Sequence, residues 1–297
     1  MKQVLMKVVN TDKGIEKMQI TIASGKGGTG KTIIATSIFL SHDNAQLLDA
    51  DVDEPNCSLF LNFDLREVGK AQVLVPEIDN TKCTHCGICS DNCEYNSLIN
   101  LPGQVVVFEK ICHGCGLCSF LCPENAITEK PRTLGKIFSG KEKELSFHYG
   151  ELIVGEELST PVIAKLKEYV QQEKELIIID SPPGSACPMV EAVIDSDFVI
   201  VVAEPTPFGL SDMQIVVETL RRLKKKFGVI INKEGIGNDE LEKYCKEEGI
   251  SILMKIPFDM KIAQNYSIGK TLVQASSNWK IQFRELIDRI RGVVYNE

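Results

Sequence analysis

Short apolar runs and amphipathic stretches alternate along the chain. "MQITIAS" (Met18–Ser24) is rich in isoleucine and reads as a strand. "KTIIATSIFLSH" (Lys31–His42) carries apolar residues at helical spacing. "AQLLDAD" (Ala45–Asp51) reads as a second strand ending in acids. Strand-like text resumes at "ELIVGEE" (Glu151–Glu157), and "TPVIAKLKEYVQQ" (Thr160–Gln172) predicts an amphipathic helix with a proline near its start. "ELIIIDSPPG" (Glu175–Gly184), "DFVIVVAEPT" (Asp197–Thr206), "FGVIINK" (Phe227–Lys233) and "ISILMKIPFD" (Ile250–Asp259) predict four more strands, most of them continuously apolar. "NWKIQFRELIDRIRGVV" (Asn278–Val294) closes the chain as a helix. Continuous apolar strands alternating with helices predict an α/β fold, a parallel sheet covered on both faces.

One stretch breaks this rhythm. From about 80 to 130 the text is rich in cysteine, glycine and asparagine. The expected organisation is therefore a motif-free extension (1–17), an α/β domain in two pieces (18–79 and 131–297) and an inserted small α+β domain (80–130).

Composition narrows the function. The 297 residues are 43% apolar with a formal net charge of −8, which disfavours a nucleic-acid partner. The basic run "RRLKKK" (Arg221–Lys226) fits the solvated end of a helix, favoured there by the helix dipole. No apolar run reaches the roughly 18 residues of a membrane span, and no signal segment opens the chain. A membrane role is not expected. The eleven cysteines then point to metal ligation in a reducing cytoplasm rather than to disulfides.

"GKGGTGKT" (Gly25–Thr32) matches the phosphate-binding pattern between a predicted strand and a predicted helix. Gly25, Gly27, Gly28, Thr29 and Gly30 let backbone amides face phosphate oxygens at a helix N-terminus. Lys31 is placed to reach the outer phosphates of ATP, and the Thr32 hydroxyl to ligate Mg²⁺.

Two cysteine runs repeat one spacing. "CTHCGICSDNC" holds Cys83, Cys86, Cys89 and Cys93; "CHGCGLCSFLCP" holds Cys112, Cys115, Cys118 and Cys122. This is the bacterial two-cluster ferredoxin pattern, in which the fourth cysteine of each run serves the other cluster. It implies one [4Fe–4S] cluster on Cys83, Cys86, Cys89 and Cys122, and a second on Cys112, Cys115, Cys118 and Cys93. Zinc sites favour CxxC pairs separated by a longer loop, so zinc is the weaker reading. His85 and His113 read as solvated loop residues, and Cys57 and Cys245 as small apolar fillers.

The second lysine of the loop, Lys26, makes it the deviant form, and the chain here resembles the MinD/Mrp/nitrogenase-iron-protein class of ATPases. With the cysteine runs it resembles MinD-superfamily ATPases carrying an inserted ferredoxin domain, over residues from about 18 to 290. The resemblance implies a deviant-Walker P-loop NTPase that closes as an ATP-dependent homodimer, or with a paralogous partner, Lys26 reaching the partner's nucleotide. "LLDADVDEPN" (Leu47–Asn56) looks like switch I, with Asp51 orienting the attacking water and Asp49 near Mg²⁺. "IIIDSPPG" looks like the Walker B strand and switch II, with Asp180 binding Mg²⁺ through water and the Gly184 amide sensing the γ-phosphate. Asn232 would contact adenine, and Pro257, Phe258 and Asp259 would line its pocket. Cys187 lies where the nitrogenase iron protein ligates a bridging cluster, but no second ligand matches. A buried or conformational cysteine is the better reading of it. The functions implied are ATP-gated electron transfer to an unknown redox partner, iron–sulfur cluster assembly or carriage as in Mrp-like relatives, or redox-sensing positioning as in MinD.

Overall fold

The computed structural model describes residues 17–295. Apart from Lys17, the extension expected over 1–17 lies outside the described residues. The chain opens with β1 (Met18–Ala23), α1 (Lys31–Ser41), β2 (Ala45–Asp49) and a long β3 (Arg66–Ile78). Four short elements follow: α2 (Ile88–Asp91), β4 (Leu98–Leu101), β5 (Gln104–Val107) and α3 (Leu117–Leu121). Then come β6 (Ile127–Glu142), β7 (Leu145–Leu152), α4 (Thr160–Lys167), β8 (Leu176–Asp180) and α5 (Cys187–Val193). The C-terminal part is β9 (Phe198–Ala203), α6 (Pro207–Arg222), β10 (Phe227–Glu234), α7 (Glu240–Glu247), β11 (Ile252–Pro257), α8 (Met260–Ser267), α9 (Leu272–Ala275) and α10 (Ser277–Tyr295).

Nine strands form one sheet in the order β11-β10-β9-β1-β8-β2-β7-β6-β3. From β11 to β7 neighbours run parallel; β6 and β3 extend the β7 edge antiparallel. The central strands β1, β8 and β9 are buried at every position, because helices cover both faces and each side chain needs an apolar neighbour. On one face Phe283, Leu286, Ile287 and Ile290 of α10 share a core with Ile34, Ile38 and Phe39 of α1. Their spacing puts them on a single stripe, each worth about 1.5–3 kcal/mol of burial. On the other face Met213, Val216, Val217 and Leu220 of α6 pack on β9 and β10. Thr206 caps α6 by accepting from the Gly209 amide, with Pro207 at the first helical position.

The predicted parallel sheet is present, with two differences. The antiparallel β3–β6 ribbon is absent from the sequence expectation. Its strands are half exposed and carry Pro76 and Pro131, so neither strand shows a clean alternation. The strand expected over 151–157 lies earlier, at Leu145–Leu152, because Ser146 and His148 are buried and satisfied by Gln171, Gln46 and Ser139. The cysteine-rich stretch leaves the ribbon after Ile78 and rejoins it at Ile127, residues that face each other across the ladder. Lys130, expected at the end of the insert, already lies within β6.

Candidate functional site

In-register pairing of β2 with β8 sets Asp49 beside Asp180, at the C-terminal ends of two central strands. Ligands of parallel α/β sheets gather at this edge. Both carboxylates are fully buried. Burial, and then the charge of Asp180 beside it, push the Asp49 carboxyl well above the usual carboxylate range. Asp180 Oδ2 accepts from the Thr32 hydroxyl at 2.7 Å, while its Oδ1 is buried without a partner. An orphan carboxylate oxygen beside a hydroxyl and a second acid is a donor set suited to a hard divalent cation such as Mg²⁺. The sequence missed one neighbour. Cys57, read as a filler, donates its amide to Asp49 Oδ2 at 2.9 Å, and its thiol lies 3.5 Å from Asp180 Oδ2. Burial, then the two acids, keep that thiol strongly protonated.

Lys31 is buried at the start of α1, its ammonium 3.9 Å from Asp51 Oδ2. Burial raises the Asp51 carboxyl to about 6 against the opposing pull of Lys31. Gly28 and Gly30 hold φ of +76° and +93°, where a side chain is strained. Gly25 has another constraint: a Cβ there would sit 2.2 Å from the Asp212 carbonyl oxygen.

A cavity of about 700 Å³ opens beside these groups, a size suited to a nucleotide. Gly27, Gly28, Gly30, Lys31, Thr32 and Asp51 line its polar end. Pro257, Phe258 and Asp259 line the other with Ile262, Tyr266 and Leu272, which sequence reasoning did not single out because they sit on α8 and α9. Asn232 also lines it, and its amide donates to the Thr29 carbonyl at 2.7 Å. Six expected residues do not line the cavity: Gly25, Asp49 and Asp180, placed above, and Gly184, Thr29 and Lys26. The Gly184 amide donates to the Ser24 carbonyl at 2.9 Å, not toward the cavity. Thr29, within the loop, is buried. Lys26 turns to Glu204, 3.3 Å away, which also holds Lys233.

The two cysteine runs fold alike. Each ends with an amide donated to its fourth sulfur at 3.3 Å, from Ser97 to Cys93 and from Ala126 to Cys122. Burial raises the Cys93 thiol, but hydrogen bonds from the Ser97 hydroxyl and amide and the Tyr95 and Leu98 backbone together lower it overall. One small cavity is lined by Cys83, Cys86, Cys89 and Cys122. The other is lined by Cys112, Cys115, Cys118 and Cys93, and also by Cys89, which lines both. Each draws its fourth expected cysteine from the other run, so the donor sets fit two four-thiolate clusters. Gly114, at φ +67°, lets the second run lie on the ribbon: a Cβ there would meet the Leu74 carbonyl oxygen at 2.9 Å. His113 is an exposed loop residue, as expected. It stacks on Tyr95 with centroids 3.7 Å apart. Cys187 is exposed at the start of α5, not buried, and its neighbours Ala186 and Pro188 line the nucleotide-sized cavity.

A family model, the CobQ/CobB/MinD/ParA nucleotide binding domain, matches residues 20–273. The chain belongs to this family. An uncharacterized protein of Methanocaldococcus jannaschii is 34% identical over 285 residues, covering 93% of this chain and 98% of its own. An iron-sulfur cluster carrier protein of the same organism is 21% identical over 294 residues, covering 92% of this chain and 84% of its own. The septum site-determining protein MinD of Pyrococcus horikoshii, complexed with Mg-ADP, shares the fold. It matches with a TM-score of 0.57 at 16% identity, over 95% of this chain and all of that one. Among the described residues no helix is long and apolar enough to cross a membrane, and α10 is packed against α1.

Proposed function

We propose that this protein is an ATP-driven dimer switch that gates electron transfer through two [4Fe–4S] clusters. Lys31 binds the outer phosphates, and Thr32 with Asp180 behind it positions Mg²⁺, which when bound neutralises phosphate charge. Asp51 orients the attacking water. Lys26 does not line its own cavity, and a role across a dimer interface requires its pair with Glu204 to open. Clusters held by the two cysteine sets would each carry one electron at low potential.

One observation carries the reading. The β3–β6 ribbon joins the cysteine cavities to the sheet, and β6 pairs with β7, which pairs with β2, the strand ending at Asp49. Nucleotide chemistry and thiolate sites therefore share a single hydrogen-bonded ladder. The test is anaerobic ATP turnover by iron-loaded protein, oxidised against dithionite-reduced, with Lys31→Ala as control. A Lys31-dependent rate that changes with redox state supports the reading. Equal rates with a constant partner-free background overturn intrinsic coupling.

A second reading, cluster carriage, draws on the exposed Cys187 beside the nucleotide-sized cavity and on the relatives named iron-sulfur cluster carrier proteins. It predicts that iron is passed to an apo-ferredoxin and that Cys187→Ser stops the transfer.

A further inference from the structure

We propose that Arg132 and Glu156 form a positioning pair that couples switch I to the Cys112 ligand set, and to that set alone. The inference rests on reading that set as a [4Fe–4S] site.

Arg132 sits on β6 with its side chain 10% exposed. One guanidinium nitrogen is 2.5 Å from Glu156 Oε2, and the other donates to the Cys112 carbonyl oxygen at 3.4 Å. The third nitrogen, Nε, is buried without a partner. A buried guanidinium left short of acceptors is an electrostatic lever, since its charge is poorly screened. No equivalent cation contacts the backbone of Cys83, Cys86 or Cys89 in the hydrogen bonds of the described residues.

Glu156 belongs to the loop after β7, and that loop begins on switch I. The Leu152 amide donates to the Val52 carbonyl at 2.9 Å, one residue past Asp51. The Ile153 amide donates to Leu134 on β6 at 2.8 Å, and the Glu156 amide to Ile153 at 2.9 Å. Val52 is 1% exposed, and a Cβ on Gly150 would lie 2.8 Å from its methyl group. Packing this tight transmits displacement instead of absorbing it. When Asp51 and Val52 shift around a nucleotide, Leu152 and Ile153 must follow. Glu156 then changes its hold on Arg132, and the net positive charge beside Cys112 changes with it. Such coupling is reciprocal: reduction at this site must alter nucleotide affinity by the same factor.

The test is a dithionite redox titration of anaerobic, iron-loaded full-length protein followed by electron paramagnetic resonance, with and without Mg²⁺ and a non-hydrolysable ATP analogue. The signal lost in Cys93→Ser identifies the cluster in question. In wild type the analogue shifts the midpoint of that cluster only. Arg132→Gln shifts its midpoint negative and abolishes the nucleotide response. Arg132→Lys, which keeps the charge, stays closer to the wild-type midpoint than Arg132→Gln, and Glu156→Gln shifts it positive, because the guanidinium is left unneutralised. A merely structural pair would not give shifts of opposite sign. The proposal is overturned if iron content is full and both variants keep wild-type midpoints, or if both clusters move together. An iron-loaded chain with no cluster signal would instead overturn the reading of the cysteine sets beneath it.

Discussion

The Lys26 ammonium lies 3.3 Å from Glu204, and Glu204 holds Lys233 on its other oxygen. Lys233 in turn reaches the Gly28 carbonyl at 3.1 Å. The deviant lysine is therefore tied to its own chain through a carboxylate that is only 10% exposed. For Lys26 to act on a partner's nucleotide this pair must open. Glu204→Gln is expected to tighten ATP-dependent dimerisation about 2- to 5-fold, the yield of an ion pair worth up to about 1 kcal/mol. Lys26→Ala is expected to bind nucleotide normally and remain monomeric. Sedimentation equilibrium with a non-hydrolysable analogue reads both.

Asp51 and Lys31 should separate chemistry from binding. Asp51→Asn keeps the shape of the site but loses the charge that orients water, so turnover should fall roughly 10²- to 10⁴-fold with nucleotide affinity within a few-fold of wild type. Lys31→Ala should lose affinity as well. Phosphate release and fluorescent-nucleotide titration distinguish the two; equal loss of affinity in both variants would remove Asp51 from the chemistry.

The exchange of cysteines between runs gives a sharp expectation. Cys122→Ser should cost the same cluster as Cys86→Ser, removing roughly half the iron, despite the distance between them in the chain. Cys187→Ser should leave iron content unchanged. Iron assay and electron paramagnetic resonance check both statements, and loss of the Cys112-set signal in Cys122→Ser would refute the assignment.

His148 should make the fold acid-sensitive. It is buried on β7 between Ser139 and Gln46, and burial lowers its pKa to about 4. The folded chain keeps the ring neutral while the unfolded chain takes up a proton below its ordinary value. This contribution is complete above about pH 6.5 and is lost as pH falls toward about 4. Between pH 7.5 and 5.5 it should cost roughly 1 kcal/mol. Denaturant unfolding of His148→Gln should show a pH dependence shallower by that amount.

The parts of the site that were legible in sequence are those whose chemistry is local. The phosphate loop needs glycines and a lysine in consecutive positions, and the cysteine runs need short fixed gaps, so both can be read from spacing alone. Asp49 and Asp180 each end a largely apolar strand, but their switch roles, and that of Asp51, came only from the family resemblance. The ribbon was not, since half-exposed strands with Pro76 and Pro131 show no period. Glu204 and Cys57 escaped for a different reason. Their roles come from Lys26 and Asp180, residues that only the packed sheet brings within reach. Gly184 was placed correctly in its loop, yet its amide is turned to Ser24 by the backbone around it.

The ladder that closes at Ile78 opposite Ile127 has an evolutionary consequence. Paired residues on neighbouring strands stand about 5 Å apart, a gap that a two-residue hairpin turn spans. An ancestral chain could have acquired the whole cysteine-rich stretch at a tight turn without disturbing a single strand of the sheet. Excising residues 79–126 in favour of Asn-Gly should likewise leave a folded nucleotide-binding protein, and splicing a different domain at the same point should graft a new payload onto the same engine.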